Sequence, residues 1–337
     1  MNRTHPDAFL LGAGFARALS PRMPLLQDLA DRVRDCLGDK TILPDAVASM
    51  MRENFAHALS YLEQSKPWLT ESENLRHRAL FLEMSNAIAR VLDETAAEIR
   101  HGPPSSTHPW IANLIRHWHE QRSTVLTLNY DTLIERTAST IEMDAGRRLS
   151  SGDLYPLVLT DAGLRFGSAP PEHRERTFTL LKLHGSTNWY YSGRTATSGE
   201  PIYFVPPLRA DADEAARHKH EQRLRAVADK YPFLVPPVYD KSPLLTHETI
   251  RALWFEAGET LKRARHLVCL GYSLPTSDLT MMHFLRATLS PGARVELVNQ
   301  DRESVSNFER LLKGADIDIV QANSGENCIS EFVQRHF

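Results

Sequence analysis

The sequence predicts an α/β fold with a mostly parallel sheet, because short apolar runs alternate with longer segments of helical periodicity. The apolar runs predict strands at Ala8–Leu11, 125–128, 178–183, His266–Leu270 and 294–298. Glycine or a polar residue follows each run, as expected where a strand ends. In a parallel sheet of this kind, ligands bind beyond the carboxyl ends of the strands.

Helical periodicity accounts for much of the chain between these strands. Apolar residues at helical spacing predict a helix over 26–37. The pattern stays helical over 44–100 and stops at the segment 102–106, which is rich in glycine and proline. A further amphipathic helix is predicted over 246–264, with Thr246 as its cap.

The sequence shows no internal repeat, and we expect a single domain over residues 1–337. The stretch 211–230 is rich in alanine and charge, which predicts a solvated helix or a partly mobile insertion. The expected parts are a core of 1–40, 105–190 and 232–337, a helical insertion of 41–104 and a second insertion of 191–231.

Composition excludes several classes of protein. A formal net charge of −3 gives no electrostatic reason for tight nucleic-acid binding, so nucleic acid is not indicated as a partner. No apolar run approaches the roughly 20 residues that cross a bilayer, and the first apolar stretch is too short for a signal peptide. Cys36, Cys269 and Cys328 are far apart and odd in number, so we expect no disulfide framework and a reducing, cytoplasmic location.

The first predicted strand ends at Gly12-Ala13-Gly14-Phe15, which leads into a helix. The amides and the dipole at such a turn can hold a pyrophosphate, and glycine lets the backbone approach phosphates closely. A tight turn from strand to helix also uses glycine for steric reasons alone. By itself, the motif supports both interpretations.

Further polar motifs follow the later strands, namely Asn129-Tyr130-Asp131, His184-Gly185-Ser186, Gly271-Tyr272-Ser273 and Asn299. In this order and context, the motifs together resemble the sirtuin family, which breaks the nicotinamide–ribose bond of NAD. The resemblance is closest to the bacterial sirtuin-like branch that hydrolyses NAD in antiviral defence. It implies a Rossmann-like parallel sheet with helices on both faces, and NAD as substrate.

Asn129 and His184 are the candidate catalytic residues. An amide at a strand end can donate and accept hydrogen bonds at once, which suits Asn129 to orient a water and the ribose hydroxyls. His184 titrates in the range that suits a general base, and the resemblance assigns it that role. Asp131 binds a ribose hydroxyl or caps the helix that follows, and we favour the cap. The segment Ser186–Trp189 is interpreted as a polar turn, where a core histidine would be unusual.

The resemblance assigns ligand contacts to the C-terminal motifs as well. It implies that Gly271 and Ser273 contact the ribose and phosphates, and that Asn299 binds the adenine-side ribose. Asn327 and Cys328 resemble the loop that edges the adenine. Each residue also suits an ordinary turn, and the joint presence of the motifs in family order favours the functional interpretation.

Two departures from the family pattern bear on activity. Leu25 and Leu26 stand where the Phe-Arg pair of the nicotinamide loop usually follows Pro24. The segment 190–231 has no cysteine, whereas the protein deacetylases carry a four-cysteine zinc module there, so no structural zinc is expected. Sirtuins without zinc exist, so deacylation is not thereby excluded.

The resemblance therefore implies an NAD hydrolase in which water is the acceptor. It further implies a homo-oligomer, or a gate supplied by a partner ATPase or another defence subunit. The alternatives are an NAD-dependent protein deacylase, an ADP-ribosyltransferase, and a catalytically silent nucleotide-binding assembly subunit. No membrane partner is expected.

Overall fold

The computed structural model describes residues 7–38, 41–100, 109–143, 146, 148–156, 159–163, 177–193, 200–209 and 211–337. The breaker predicted at 102–106 lies outside these residues. The strands are β1 (Ala8–Leu11), β2 (Thr124–Thr127), β3 (Thr160–Asp161), β4 (Thr179–Lys182), β5 (Gly185–Tyr191), β6 (Tyr203–Phe204), β7 (Tyr231–Leu234), β8 (His266–Leu270), β9 (Ala293–Val298) and β10 (Ile317–Asn323).

The helices connect and cover these strands. In chain order they are α1 (Ala13–Leu19), α2 (Leu26–Leu37), α3 (Asp45–Glu53), α4 (Phe55–Glu63), α5 (Glu71–Arg100), α6 (Pro109–Gln121), α7 (Leu133–Ala138), α8 (Ser151–Leu154), α9 (Glu214–Ala226), α10 (Glu248–Arg263), α11 (Leu279–Thr288), α12 (Glu303–Leu311) and α13 (Cys328–His336). Among the described residues, no helix is both long and apolar enough to span a bilayer.

The main sheet has six parallel strands in the order β10-β9-β8-β1-β2-β4. The chain runs outward from the central strand β1 through β2 and β4, and then builds β8, β9 and β10 on the opposite side. This is the strand order of the doubly wound dinucleotide-binding folds, in which the direction reverses between β1 and β8. The Rossmann-like α/β fold is therefore confirmed.

Strand β1 shows why the sheet forms the centre of the molecule. All four of its residues are fully buried. Since successive side chains of a strand point to opposite faces, both faces of the sheet are covered. On one of them, Phe9 meets Trp118 of α6, with ring centroids 5.4 Å apart.

Helices α2 to α5 pack around a second apolar core. Its buried residues include Phe55, Leu59, Met84 and Ile88, and Leu133 of α7 joins the same cluster. The helical pattern predicted over 44–100 is confirmed as three helices. The predicted division of the chain into core and insertions stays a prediction.

A smaller sheet was not predicted from the sequence. It has the order β3-β6-β5-β7, and β5 pairs antiparallel with both neighbours. The polar turn predicted at Ser186–Trp189 is therefore wrong, because these residues lie in β5 and are buried. The polar side chains are accepted there because they are hydrogen-bonded, as in the 2.6 Å contact from Ser186 Oγ to Asn188 Oδ1.

Two further predictions need correction. The glycine motif leads into the separate seven-residue helix α1, and the helix predicted over 26–37 follows as α2. Thr246 does not cap α10, because the ring of His247 accepts the amide hydrogen of Thr249 at 3.2 Å. Helix α9 confirms the predicted helix within 211–230, and most of its residues are exposed.

Candidate functional site

The motif residues meet at one edge of the main sheet, because all its strands are parallel and each motif follows a strand. Across that edge the order of strand ends is Asn299 after β9, Gly271 after β8, Gly12 after β1, Asn129 after β2 and His184 close after β4. Neighbouring strands lie about 4.8 Å apart, so adjacent motifs are within reach of one ligand. The chain reversal between β1 and β8 places Gly12 beside Gly271.

The glycine turn is packed tightly against the turn that follows β8. A Cβ added at Gly12 would lie 2.6 Å from the carbonyl oxygen of Gly271, and one added at Gly271 would lie 2.3 Å from the amide of Phe15. Gly271 also has a φ of +64°, which disfavours any side chain. These glycines are thus required by the packing of the two turns, whatever ligand binds there.

Several amides of the glycine turn already have acceptors in the protein. Gly12 donates to the carbonyl of Leu270 at 3.1 Å, and Gly14 donates to that of Gly271 at 3.0 Å. Phe15 donates to the carbonyl of Gly12 at 3.0 Å. Ala13 begins helix α1 between them. A pyrophosphate could approach the backbone of this turn closely and interact with the helix dipole. The three amides named above, however, already donate to protein carbonyls and are not available to it.

Asn129 links the end of β2 to the point of chain reversal. Its side-chain Nδ2 donates to the carbonyl of Gly12 at 2.9 Å, and its amide donates to Thr127 Oγ1 at 3.1 Å. The side chain is half-buried. These bonds fix the orientation of the amide group, whose Oδ1 can accept a hydrogen bond from a water or a hydroxyl.

Asp131 is not the N-cap of α7, which is Thr132, but its carboxylate accepts the first amide hydrogen of the helix. One of its carboxylate oxygens accepts the amide hydrogen of Leu133 at 3.0 Å, where α7 begins. Burial raises the pKa of Asp131, and the nearby Lys182 and the Leu133 amide oppose that rise. Its side chain is therefore engaged with the protein in this structure.

His184 is buried between two aromatic rings. The ring of Tyr130 stacks on the imidazole with ring centroids 6.3 Å apart, and the ring of Trp254 is tilted against it with centroids 6.1 Å apart. Only 5% of the residue is exposed, and its Nε2 has no hydrogen-bond partner among the described residues. Burial, followed by the charge of Lys241, lowers the pKa of His184 to about 3. The imidazole is therefore neutral at pH 7, and the lowered pKa makes it a weaker base than a free histidine.

A buried polar cluster beside His184 was missed by the sequence analysis. Lys241 Nζ pairs with Asp278 Oδ1 at 2.5 Å, and both side chains are at least nine-tenths buried. Tyr272 donates its hydroxyl to Asp278 Oδ2 at 3.2 Å. The pKa of Tyr272 is raised well above its usual value by burial and by Asp278. No spacing signal connects Lys241 with Asp278, because 37 residues separate them.

The remaining predicted contacts differ in their exposure. Ser273 and Asn327 are exposed near the edge. Asn299 is half-buried, and its Oδ1 accepts the amide hydrogen of Asp301 at 3.4 Å in a local turn. The thiol of Cys328 packs in the main apolar core, and burial raises its pKa, so a ligand would meet the backbone of Cys328 rather than its sulfur.

Within the described residues, no group of three or more His, Cys, Asp or Glu side chains is arranged to hold a metal ion.

Comparison with known proteins gives matches at the level of structure alone. No family model matches the chain, and no curated protein matches it. Over nearly its whole length the chain is similar to solved Sir2 structures. Sir2Tm bound to a propionylated peptide is 15% identical, covering 99% of this chain and 92% of that one at a TM-score of 0.41. A complex of Sir2 with EX-527, 2'-O-acetyl-ADP-ribose and a deacetylated p53 peptide is 16% identical. The match covers 99% of this chain and 93% of that one, at a TM-score of 0.41. A Sir2 complex with a p53 peptide and NAD+ is 14% identical, and the match covers 99% of this chain and 92% of that one at a TM-score of 0.40. At these identities and TM-scores, the likeness adds nothing to what the strand order and the site residues establish.

Proposed function

We propose that the protein is an NAD hydrolase that cleaves the nicotinamide–ribose bond to give nicotinamide and ADP-ribose. The observation that carries the proposal is the position of Asn129 and His184 at the ends of the adjacent strands β2 and β4. Asn129 is hydrogen-bonded to Gly12, at the reversal point where folds of this strand order bind dinucleotides. The sirtuin-like order of the motifs supports the same substrate.

The reaction requires the protein to position the ribose and the attacking water and to supply a base for the released proton. The bond between the ribose C1′ and the nicotinamide nitrogen breaks, and its electron pair leaves with the nicotinamide, which becomes neutral. A preorganised polar site stabilises the oxocarbenium-like state, and water then bonds to C1′. Asn129 Oδ1 would orient that water or a ribose hydroxyl, and the neutral imidazole of His184 would take the released proton.

A second candidate is a nucleotide-binding assembly subunit without catalysis. It is favoured by the burial of His184, which has 5% of its surface exposed, and by the engagement of three amides of the glycine turn inside the protein. A silent subunit could use the same edge of the sheet to hold NAD without cleaving it. NAD-dependent deacylation and ADP-ribosyl transfer differ from hydrolysis only in the acceptor.

One assay separates these activities. The purified protein is incubated with NAD, with and without an acylated peptide, and the products are quantified by chromatography. Equal amounts of nicotinamide and ADP-ribose without peptide support hydrolysis, whereas turnover that needs the peptide indicates deacylation. ADP-ribose attached to protein indicates transfer. Calorimetric binding of NAD without any nicotinamide release would overturn the hydrolase and favour the silent subunit.

We further propose that the hydrolase is an NAD-depleting effector of bacterial antiviral defence and works as a homo-oligomer or with a partner ATPase. The resemblance of the motifs to the bacterial branch supports this role. Measuring cellular NAD during phage infection, in cells that express the wild type or His184→Ala, tests it. Equal NAD levels in the two strains throughout infection would contradict it.

A further inference from the structure

Lys182 is the centre of a buried network that the proposed chemistry leaves unused. Its side chain is 1% exposed, although it lies on β4 among apolar neighbours. The ammonium pairs with Glu135 Oε1 of α7 at 3.0 Å, and Glu135 is likewise 1% exposed. It also donates to the backbone carbonyl of Asp131 and lies 3.5 Å from that of Tyr130.

These two carbonyls belong to the loop that carries Asn129. Strand β5 holds the loop at one of the same carbonyls, since the amide of Thr187 donates to the carbonyl of Tyr130 at 2.9 Å. Ser186 Oγ lies 3.3 Å from that carbonyl. The Asn129 loop is thus bound to the chain segment that contains His184, and Lys182 precedes His184 by two residues.

The charge of Lys182 calls for an explanation beyond stability. Burying two ions removes them from water, and well-packed apolar residues commonly give an equal or more stable protein. An apolar side chain, however, has no hydrogen to donate to a carbonyl. The ammonium can bond to Glu135 and to the loop at the same time because it has three donors. Glu135 is held in turn by the hydroxyl of Tyr155, which donates to the same Oε1 at 2.7 Å.

We propose that Lys182 is a positioning residue, which holds the Asn129 loop at a fixed place relative to His184 so that both reach one ligand. Glu135 orients the ammonium, whereas the hydrogen bond from Tyr155 to Glu135 does not reach the loop. This inference rests on the proposed function for its effect on turnover. Its structural part, the restraint of the loop, is measurable without NAD.

The test replaces the ion pair as a unit and compares it with a control in the same network. Lys182→Met combined with Glu135→Leu removes both charges, so no ion is left buried alone. Tyr155→Phe is the matched control, because it removes a hydrogen bond to Glu135 but leaves Lys182 and its contacts with the loop. We expect the double variant to lose about 10²-fold in kcat with a nearly unchanged KM, since misplacement of catalytic groups by about 1 Å has that effect. Tyr155→Phe should retain most of the turnover.

Hydrogen exchange provides the readout that a general loss of stability would not reproduce. In the double variant, amides 129–132 should exchange faster while those of Ala8–Leu11 keep their protection. A folded double variant with wild-type turnover and wild-type exchange in the loop would overturn the proposal. If the double variant does not fold, Lys182→Gln combined with Glu135→Gln removes both charges and the ammonium but keeps polar groups at the two positions. Unchanged turnover and unchanged loop exchange in that variant would overturn the proposal equally.

If the proposed function is wrong, the experiments give a different result from the one expected if only the role of Lys182 is wrong. In that case the wild type itself releases no nicotinamide, whereas the exchange experiment still reports whether Lys182 restrains the loop. Faster exchange at 129–132 in the double variant would then support the restraint alone.

Discussion

At the scale of single residues, the proposed chemistry depends on two side chains in different surroundings. Asn129 is half-buried and held by the carbonyl of Gly12, so its oxygen is oriented before any ligand arrives. His184 is almost fully buried and neutral, so a ligand must come close to its ring for proton transfer to occur. Mutation of Asn129 therefore tests positioning, and mutation of His184 tests proton transfer.

Replacing either residue should abolish most of the activity without unfolding the protein. We expect Asn129→Ala and His184→Ala each to lower NAD cleavage by about 10²-fold or more, as for loss of a positioning or acid–base group. His283→Ala is the matched control, because His283 is exposed on α11. Turnover of each folded variant is measured by nicotinamide release. Near-normal turnover in either site variant would remove that residue from the mechanism.

The burial of His184 also predicts a pH dependence. Its pKa of about 3 in the folded protein lies below the ordinary value of 6.5, so the unfolded chain binds the proton more readily between those values. The stabilisation is complete above about pH 6.5 and is lost as the pH falls from there towards 3. The melting temperature of the wild type should therefore fall more steeply with acid than that of His184→Gln. Parallel curves for the two proteins would show that His184 is not buried as a neutral ring.

The positions of Asn129 and His184 at strand ends could be predicted from the sequence, because each follows an apolar run. Lys182 and Lys241 could not be found in this way. Lys182 lies near the end of an apolar run, which suggests a strand end with its charge in water. Only the fold brings Glu135 to Lys182 and Asp278 to Lys241. Partners that lie 47 and 37 residues away leave no local signal.

At the scale of elements, the turn after β1 and the turn after β8 form one unit. Gly14 donates to the carbonyl of Gly271, and the backbones are too close for a Cβ on either side. A bulky residue at Gly12 or Gly14 is still expected to prevent NAD binding, but the same change also disturbs the packing of the turns. Loss of binding in such a variant does not identify a phosphate site unless the fold is intact.

The packing itself is testable with two glycines of similar backbone conformation. Gly271 and Gly314 have φ values of +64° and +80°, and only Gly271 has neighbours within 4 Å of an added Cβ. Gly314→Ala should cost about 1–2 kcal/mol, which is the penalty for a side chain in the left-handed region. Gly271→Ala should cost clearly more, because its Cβ would collide with the amide of Phe15. Urea unfolding of both variants measures the difference, and equal losses would show that the turns can separate without cost.

The elements differ in how well periodicity predicts them. Strands β1 and β8 are continuous apolar runs, as buried parallel strands are, and were predicted with the bounds observed. Strand β10 was missed because its residues are only partly buried and alternate weakly. Strand β5 was missed because buried Ser, Thr and Asn look like a turn until their hydrogen-bond partners are known.

At the scale of the whole molecule, the parallel sheet gathers motifs from residue 12 to residue 328 along one edge. The helices α2 to α5 contribute no motif residue to that edge. They pack around their own core. Three large apolar side chains in this part of the chain are exposed, namely Ile42 (90%) before α3, Trp68 (75%) before α5 and Leu75 (52%) on α5. If they lie together in one patch, these side chains would suit an interaction surface.

We therefore expect activity to depend on assembly. An enzyme that empties a cell of NAD must be restrained, so the free chain should be inactive, slow or held in an oligomer. Trp68→Glu should shift the protein towards monomer and alter its turnover, because a charge at an apolar contact is costly to bury. Phe255→Glu is the matched control, since Phe255 is 69% exposed but lies on α10. Light scattering and nicotinamide release are measured together over a dilution series. If these helices only cover the NAD site, the wild type will be a monomer whose specific activity is full and independent of concentration, and that result would rule out assembly as the switch.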